Sequence, residues 1–210
     1  MPRAHILHKV RTALGRRVGQ PPATAPPASL RIPEMDVEAR IARFFQEIQK
    51  LAGRTSRVGS PAEARAQVEA LIAGRPAVAS NAAFLGECGI TSLPSVRTGF
   101  NDAGELRAAC ASAEFGITSA DYALADTGTL VMLSSHEEAR LISLLPPVHL
   151  AIVPHQKILT GLDELLARLP QPAGHSSSMV LITGPSRTAD IEQILVRGVH
   201  GPGEIHVIVV

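Results

Sequence analysis

The chain has 210 residues, and 45% of them are hydrophobic, so it is long and apolar enough to bury a substantial core. Only 3% of the residues are aromatic, which argues against single-stranded nucleic-acid binding through base stacking. The net charge is +1, but residues 1–33 carry six basic residues and no acid, whereas the remainder carries 14 basic and 19 acidic residues. This mildly acidic body gives no electrostatic footprint for a nucleic acid.

The cysteine content and the hydropathy exclude further classes. Cys88 and Cys110 are too few and too far apart in sequence for a disulfide framework, a zinc site or an iron–sulfur ligand run. No apolar run approaches the ~20 residues that a membrane helix needs. We therefore expect no metal, no cluster and no membrane span in this chain.

The chain is predicted to begin with a helix and a linker. Apolar residues recur at helical spacing from Ile6 to Leu14, and Gly15 would end the helix. Residues 19–33 contain five of the sixteen prolines, which is typical of a flexible or partly extended linker. We divide the chain into a basic helix over residues 1–17, a linker over 18–33 and an α/β domain over 34–210. The first helix either docks on a partner, packs loosely or is disordered.

Beyond the linker, helical and extended patterns alternate. Helices are predicted over 37–51, 60–72, 106–113, 137–145, 162–169 and 188–196, and strands over 55–58, 76–80, 122–125, 129–133, 148–153, 179–183 and 205–210. The runs HLAIVP, MVLIT and IHVIVV are typical of strands covered on both faces. The alternation predicts an α/β fold with a mostly parallel sheet.

The familiar catalytic motifs are absent. The stretch GPSRTAD lacks the P-loop lysine, GVHGPG reverses the dinucleotide spacing, and HEEAR has an arginine where a zincin needs its second histidine. There is no G-x-S-x-G elbow. A serine hydrolase would have to pair Ser186 with a histidine such as His200, and nothing in the sequence brings these two residues together.

The first polar turn that could carry chemistry is ADTGTL. The hydroxyls of Thr127 and Thr129 and the N–H of Gly128 could meet a ligand, with Asp126 as a candidate acid or base. The alternative is a hairpin or bulge turn in which Asp126 and Thr127 bond to their own backbone. The spacing alone favours this second interpretation.

The second turn lies in ITGPSRTADIE, between a predicted strand and a predicted helix. Ser186 or Thr188 would cap this helix, and Asp190 would lie in its first turn. The free N–H groups of the first helical turn and the guanidinium of Arg187 could then bind a carboxylate or a phosphate. Alternatively, Arg187 pairs with an acid such as Asp190 and the turn is only a capped connection.

Both turns belong to stretches that resemble a known family. ADYALADTGTLVMLSS, RLISLLPPVHLAIV and ITGPSRTADIEQILVRGVHGPGEIHVIVV closely resemble the lactate utilization protein C family of the LUD-domain group. The resemblance covers roughly residues 115–210, and ILHKVRTALGRR resembles the family's opening helix. It implies a Rossmann-like three-layer αβα fold, similar to the ribose-5-phosphate isomerase and CoA-transferase superfamily.

The resemblance also implies a function. It points to a bacterial cytoplasmic protein that supports growth on L-lactate beside two iron–sulfur partners, which together oxidise lactate to pyruvate. The clusters are expected in the partners and no cofactor in this chain. No catalytic residue is established for this component. The residues that match the family and are candidates for ligand binding are Asp126, Thr127, Gly128, Thr129, Gly184, Pro185, Ser186, Arg187, Thr188, Asp190, His200, Gly201 and Pro202.

Three hypotheses follow. In the first, the chain is a component of a lactate-oxidising system that binds a small carboxylate at the carboxyl ends of the strands, with Arg187 as the anchor. In the second, it is an independent enzyme acting on a phosphorylated or CoA-linked metabolite, with Asp126 or Glu204 as acid or base. In the third, the turns only scaffold a subunit interface.

Overall fold

The computed structural model describes residues 2–21, 31–189 and 195–210. Its α-helices are α1 (Arg3–Ala13), α2 (Val37–Lys50), α3 (Pro61–Ile72), α4 (Ala83–Glu87), α5 (Ala103–Ser112) and α6 (Leu162–Arg168). Its strands are β1 (Arg54–Arg57), β2 (Ala77–Ala79), β3 (Val96–Arg97), β4 (Phe115–Ser119), β5 (Tyr122–Leu124), β6 (Thr129–Leu133), β7 (Val148–Val153), β8 (Ile158–Leu159), β9 (Met179–Thr183), β10 (Arg187–Ala189), β11 (Leu195–Arg197) and β12 (Glu204–Val209). Short 3-10 helices cover Ile90–Ser92, Arg140–Ser143, His155–Lys157 and Pro172–Gly174.

The main sheet has six strands in the order β1-β12-β7-β4-β2-β3, and every pairing in it is parallel. Successive side chains of its central strands face opposite layers, as the period of two requires. In β7, Leu150 and Ile152 pack towards α3 and α4, whereas Ala151 and Val153 pack towards α2. The predicted α/β class with a mostly parallel sheet is therefore confirmed, and strands 148–153 and 205–210 are covered on both faces as predicted.

A second sheet of four strands, in the order β8-β5-β6-β9, shares the layer of α2. Its strands β5 and β6 form an antiparallel hairpin, β9 pairs antiparallel with β6, and β8 pairs parallel with β5. The interpretation of MVLIT as a strand covered on both faces is wrong. These residues form β9 at the edge of this sheet, and the Leu181 side chain is 44% exposed.

Local signals identified several helix boundaries correctly. The Ser60 hydroxyl accepts a hydrogen bond from the Glu63 N–H, and the Glu63 carboxylate accepts one from the Gly59 N–H. This reciprocal arrangement satisfies donors that the first turn leaves open. At α2 and α5 the Asp36 and Asp102 carboxylates accept from the Ala39 and Glu105 N–H groups, without the reciprocal bond among the described residues.

Two predicted helices are wrong. Within the stretch from Glu137 to Leu145, only Arg140–Ser143 is helical, as a 3-10 turn, and Pro146 and Pro147 follow it. Proline lacks the N–H that helix continuation needs. In the stretch 188–196, the described ends belong to β10 and β11, which pair antiparallel. The Ser186 main chain is tied to Gly198 and Pro202, so tertiary pairing overrides the local helical pattern there.

Candidate functional site

Two of the three sequence-predicted turns meet in one cleft, which we call the amino-end cleft. The Ser186 N–H donates to the Pro202 carbonyl at 2.8 Å, and the Gly198 N–H donates to the Ser186 carbonyl at 3.1 Å. A Cβ on Gly201 would stand 3.4 Å from the Ser186 Cβ, so the two turns pack backbone to backbone. The cavity between them is about 220 Å³ and is lined by Arg140, Ser143, Leu144, His149, Val180, Leu181, Ile182, Thr183, Gly184, Pro185, Ser186, His200, Gly201, Pro202 and Ile205.

The cleft lies at the amino ends of β7 and β12. Arg140 and Ser143 come from the 3-10 turn that precedes β7, and His200 and Gly201 come from the loop that precedes β12. The expectation of a site at the carboxyl ends of the strands is therefore wrong for the main sheet, although the turn at Gly184–Ser186 does follow the carboxyl end of β9. A strand pattern alone does not say which end of the sheet a neighbouring loop reaches.

The polar groups of the amino-end cleft suit an anion. Arg140 is exposed and makes no ion pair with any described residue, and no carboxylate from the described ranges lines the cavity. The Ser186 hydroxyl and the ring of His200 add polar groups to the lining, whereas the Ser143 hydroxyl already donates to the Arg140 carbonyl at 3.0 Å. One guanidinium with neighbouring hydroxyls is a setting in which carboxylates bind by charge-assisted hydrogen bonds.

His149 supplies the buried wall of the cleft. Its side chain is 1% exposed, and its Nε2 shares a hydrogen bond of 2.7 Å with the Thr118 hydroxyl. Burial lowers the pKa of His149 to about 4, so the ring is neutral at pH 7. Its Nδ1 has no hydrogen-bond partner among the described residues. A neutral imidazole with one open nitrogen can meet a hydroxyl of a bound molecule in either tautomer.

The structure places Arg187 outside this cleft. Its guanidinium donates to the carbonyl of Leu51 at the end of α2, and Arg187 does not line the cavity. Thr188 lies in β10 opposite Val196 and does not line the cavity either. Asp190 lies outside the described residues. Arg187 therefore does not reach the cavity, whereas Arg140 lines it; sequence reasoning missed Arg140 because it lies 47 positions before Arg187.

Asp126, Thr127 and Gly128 lie in the connection of the β5–β6 hairpin, so the hairpin part of the structural interpretation of ADTGTL is confirmed. The predicted bonds to the local backbone are not found among the described residues, because the Thr127 hydroxyl donates to the Asp126 carboxylate instead. Gly128 has φ +64°, and a Cβ there would stand 2.7 Å from the Ile48 N. The Thr127 and Thr129 hydroxyls share a hydrogen bond of 2.8 Å, and Thr129 and Thr183 share another of 2.8 Å. The threonines thus link the hairpin to the strand that leads into the amino-end cleft.

The acid or base candidates of the enzyme hypothesis lie apart from that cleft. Asp126 is exposed and lines a separate cavity with Thr160 and Gly161. Glu204 is 3.4 Å from His206 and 3.8 Å from Arg54, on the exposed start of β12. One site shared by all three turns is thus not formed by the described residues.

A second cleft, which sequence reasoning missed, opens at the opposite end of the main sheet. We call it the carboxyl-end cleft. Its cavity is about 460 Å³, and it is lined by Ala82, Ala83, Phe84, Glu87, Ser119, Ala120, Asp121, Tyr122, Leu133, Ser135, Glu137, Glu138, Pro154 and Lys157. The sequence feature that could have predicted this cleft is the polar segment after β4, because ligands of α/β sheets usually bind where the parallel strands end.

Two carboxyl groups in the carboxyl-end cleft have perturbed pKa values. Burial raises the pKa of Glu138 to about 8, and the nearby Asp121 charge adds to this, while the Ser80 hydroxyl and the Ser119 amide oppose it. Burial also raises the pKa of Asp121, against the opposing Leu133 N–H and Lys157 charge. Perturbed carboxyls in a cleft are features that functional sites share.

The described residues contain neither a metal-binding cluster nor a membrane-spanning helix. Within residues 2–21, 31–189 and 195–210, no group of three or more His, Cys, Asp or Glu side chains is arranged to hold a metal ion. None of the helices described there is long and apolar enough to cross a membrane. Cys88 and Cys110 are buried, and burial raises the pKa of the Cys110 thiol to about 11.

Comparison with known proteins gives a family match and several relatives. A family model described as the LUD domain matches residues 41–210. A relative from Halalkalibacterium halodurans, named lactate utilization protein C, is 43% identical over 94 residues, which are 43% of this chain and 41% of that protein. Proteins of the same name from Bacillus licheniformis and Bacillus subtilis are 40% and 42% identical over 102 and 94 residues. These stretches are 47% and 43% of this chain, and 42% and 39% of those proteins, so the match spans less than half the length of the relatives.

A solved structure shares the fold. A crystal structure of a DUF162 family protein from Deinococcus radiodurans superposes with a TM-score of 0.61 and 18% sequence identity, covering 84% of this chain and 99% of that chain. At this identity the likeness concerns the fold, which agrees with the α/β architecture described above.

Proposed function

Because this chain belongs to the LUD domain family, we propose that it is a component of an L-lactate utilization system and binds a small carboxylate in the amino-end cleft. The carboxylate is lactate or its oxidation product pyruvate. Redox chemistry is assigned to iron–sulfur partner proteins in the same cytoplasm. Relatives named lactate utilization protein C, at about 40% identity, support the pathway part of this proposal.

The observation that carries the binding part is the polar lining of the amino-end cleft. It combines a guanidinium at Arg140 that is free of ion pairs in the described residues with the hydroxyl of Ser186 and no facing carboxylate from those residues. A cavity of about 220 Å³ is below the range of ~300–1,000 Å³ that larger organic ligands occupy, so it suits a molecule of three or four carbons.

A 2-hydroxy or 2-oxo acid fits this lining better than a simple carboxylate. Its carboxylate would meet the Arg140 guanidinium, and its second oxygen would pair with Nδ1 of His149, which is buried in the cavity wall and has no partner among the described residues. A hydroxyl donates to a bare nitrogen and accepts from a protonated one, so lactate can satisfy either tautomer. Pairing that nitrogen removes the cost of a buried polar group without a partner.

The partner part of the proposal follows from the cysteines. A cluster needs about four thiolate ligands, and this chain has two cysteines, both buried. A thiol whose pKa is raised by burial is a poor ligand, because metal ions bind the thiolate. Electrons from lactate would therefore pass to clusters in other subunits.

The binding part is tested by calorimetric titration of lactate and pyruvate into the wild type and two arginine variants. Arg140→Ala removes a charge-assisted hydrogen bond, and we expect it to weaken binding about 10- to 100-fold. Arg107→Ala is the matched control, because Arg107 is exposed on α5 and does not line the cavity, and its affinity should stay within about 2-fold of the wild type. Equal affinity in Arg140→Ala, or no binding of either acid to the wild type, contradicts the site.

The partner part is tested separately. The tagged chain is purified under anaerobic conditions from lactate-grown cells of the organism that encodes it, and the eluate is assayed for iron and acid-labile sulfide. We expect a co-purifying subunit that carries both. If the chain elutes alone and without iron, the partner part fails, whatever the titration shows.

A further inference from the structure

The carboxyl-end cleft lies at a point where the connections of the main sheet diverge. From β2 the chain moves to β3 on one side, whereas from β4 it moves to β7 on the other side, and β2 and β4 are neighbours. Loops that leave adjacent parallel strands in opposite directions open a crevice between them, which is where open α/β sheets bind their ligands. Here the crevice is lined by residues that follow β2, β4 and β7, including Phe84, Asp121 and Lys157.

A buried carboxyl group in the wall of this cleft has one oxygen without a hydrogen-bond partner among the described residues. Glu138 is 7% exposed, and its Oε2 accepts a hydrogen bond of 2.6 Å from the Ser80 hydroxyl. Its Oε1 is buried and has no partner at hydrogen-bond geometry among the described residues, although the Ser119 amide is near enough to act on the pKa of the same carboxyl group. Buried polar atoms in proteins are nearly always paired, and Glu138 lines the crevice, so this unpaired oxygen points to a group supplied from outside the chain.

The charge of the lining restricts what that group can be. Four acids, Glu87, Asp121, Glu137 and Glu138, face one cation, Lys157. The Lys157 ammonium lies 5.2 Å from the centre of the Tyr122 ring, and its charge acts on Asp121, so it already has partners within the cleft. Phosphates and carboxylates are therefore disfavoured here, in contrast to the amino-end cleft.

We propose that the carboxyl-end cleft binds a neutral, hydroxyl-rich metabolite, such as an unphosphorylated sugar or polyol, and that Oε1 of Glu138 is its buried hydrogen-bond contact. A hydroxyl group can donate to a carboxylate and accept from a carboxylic acid, so it pairs with Oε1 in both ionisation states of Glu138. An ammonium group can pair only with the ionised form. The rings of Phe84 and Tyr122 supply apolar surface for the C–H faces of such a molecule.

The proposal is tested by amide chemical-shift NMR of the protein and by calorimetry with defined probes. The neutral probes are ribose, xylitol, glucose and myo-inositol, and the charged probes are ribose 5-phosphate and putrescine. We expect at least one neutral probe to bind and to shift amide signals of residues 82–87 and 119–122, without shifting those of residues 200–202. The amide shifts are measured on the wild type, so this result does not depend on whether a variant folds.

Variants of Glu138 identify the contact. Glu138→Ala is expected to weaken binding of the neutral probe about 10-fold or more, whereas Glu138→Gln, which keeps a donor and an acceptor, stays within about 3-fold. Glu105→Gln, an acid outside the cleft, is the control and leaves affinity unchanged. The proposal is overturned if no neutral probe binds, if only putrescine or only the phosphate binds, or if Glu138→Ala binds as tightly as the wild type.

Discussion

His149 shows how one buried side chain can serve the fold and the amino-end cleft together. It sits on the second position of β7, where its register partners are Gly116 and Ile205. Gly116 is required beside it, because a Cβ there would stand 1.9 Å from the Ile142 carbonyl oxygen in the turn that carries Arg140. The close approach of this turn to the sheet brings Arg140 and His149 to the same cavity.

The burial of His149 predicts a loss of stability in acid. Burial lowers the pKa of this histidine from 6.5 to about 4, so between these values the unfolded chain binds a proton that the folded chain does not. The stabilising contribution is therefore fully present above pH 6.5 and is lost as the pH falls towards 4. From pH 7 to pH 4.5 the free energy of unfolding should fall by about 2–3 kcal/mol through this group alone.

Urea unfolding at both pH values measures this contribution. His149→Asn, which can still accept from Thr118, should be less stable at pH 7 but should lose about 2–3 kcal/mol less than the wild type on acidification. His5→Asn, at an exposed position of α1, is the control and should keep the wild-type loss. An equal acid loss in His149→Asn and in the wild type would show that His149 accepts its proton without unfolding the chain.

Arg187 and Arg140 show why a sequence motif alone does not identify the cation that lines a cleft. Arg187 stands inside the conspicuous motif, so sequence proximity made it the candidate anchor. In the structure it caps the carbonyl of Leu51, while Arg140, far away in sequence, lines the cavity. Which cation reaches a cleft depends on how the sheet brings together turns that are distant in sequence. The spatial distance between such turns cannot be obtained from one sequence without the fold.

At the scale of elements, the C-terminal end of α2 contacts two of the turns that the sequence predicts as candidate sites. Gly128 of the β5–β6 hairpin packs on the Ile48 backbone, and Gly184 after β9, with φ +78°, packs on the Leu51 side chain. The Arg187 guanidinium binds the Leu51 carbonyl in the same region. Helix α2 therefore sets the position from which β9 enters the amino-end cleft.

This contact predicts a large effect for Gly128→Ala. The new Cβ would be strained at φ +64° and would stand 2.7 Å from the Ile48 N, so we expect a loss of about 2–4 kcal/mol. Gly74→Ala has a similar φ of +76° but open space around the added carbon, so strain alone should cost about 1 kcal/mol. Urea unfolding at pH 7 compares the two, and equal losses would mean that the hairpin does not rest on α2.

The elements that the sequence identifies are those with a local cause. The Ser60–Glu63 cap, the strand runs of β7 and β12 and the turn at Asp126–Gly128 each depend on neighbours within a few residues, and each is confirmed. The wrong predictions depend on distant contacts. Thr188 pairs across a hairpin, and the stretch from Glu137 contains a glutamate that turns inward to Ser80, 58 positions away.

At the scale of the whole molecule, the two clefts have opposite electrostatic character. The amino-end cleft presents Arg140 and His200 without a facing acid from the described residues, and the carboxyl-end cleft presents four acids and one lysine. Parallel strands connect them, since β4, β7 and β12 begin beside one cleft and end towards the other. One fold can thus hold an anion and a neutral ligand without competition between the two sites.

The separation of the N-terminal helix from the α/β domain predicts which segments contribute to the stability of the fold. In α1 no side chain is buried, and the hydrogen bonds described for residues 2–21 all join residues within that segment. Deletion of residues 1–20 should therefore change the melting temperature by less than about 2 °C, since a domain of this size shifts by roughly 2–4 °C per kcal/mol. Differential scanning calorimetry of both proteins at pH 7 makes the comparison.

Deletion of residues 1–50 is the contrasting variant, because it also removes α2. Ile41, Phe44 and Ile48 are buried between the main sheet and the second sheet, so their loss would expose the apolar faces of both. The free energy lost with several fully buried large side chains is comparable to the ~5–15 kcal/mol by which folded domains are stable, so we expect no cooperative transition. A drop of more than about 5 °C on removing residues 1–20 would instead show that α1 belongs to the folded unit.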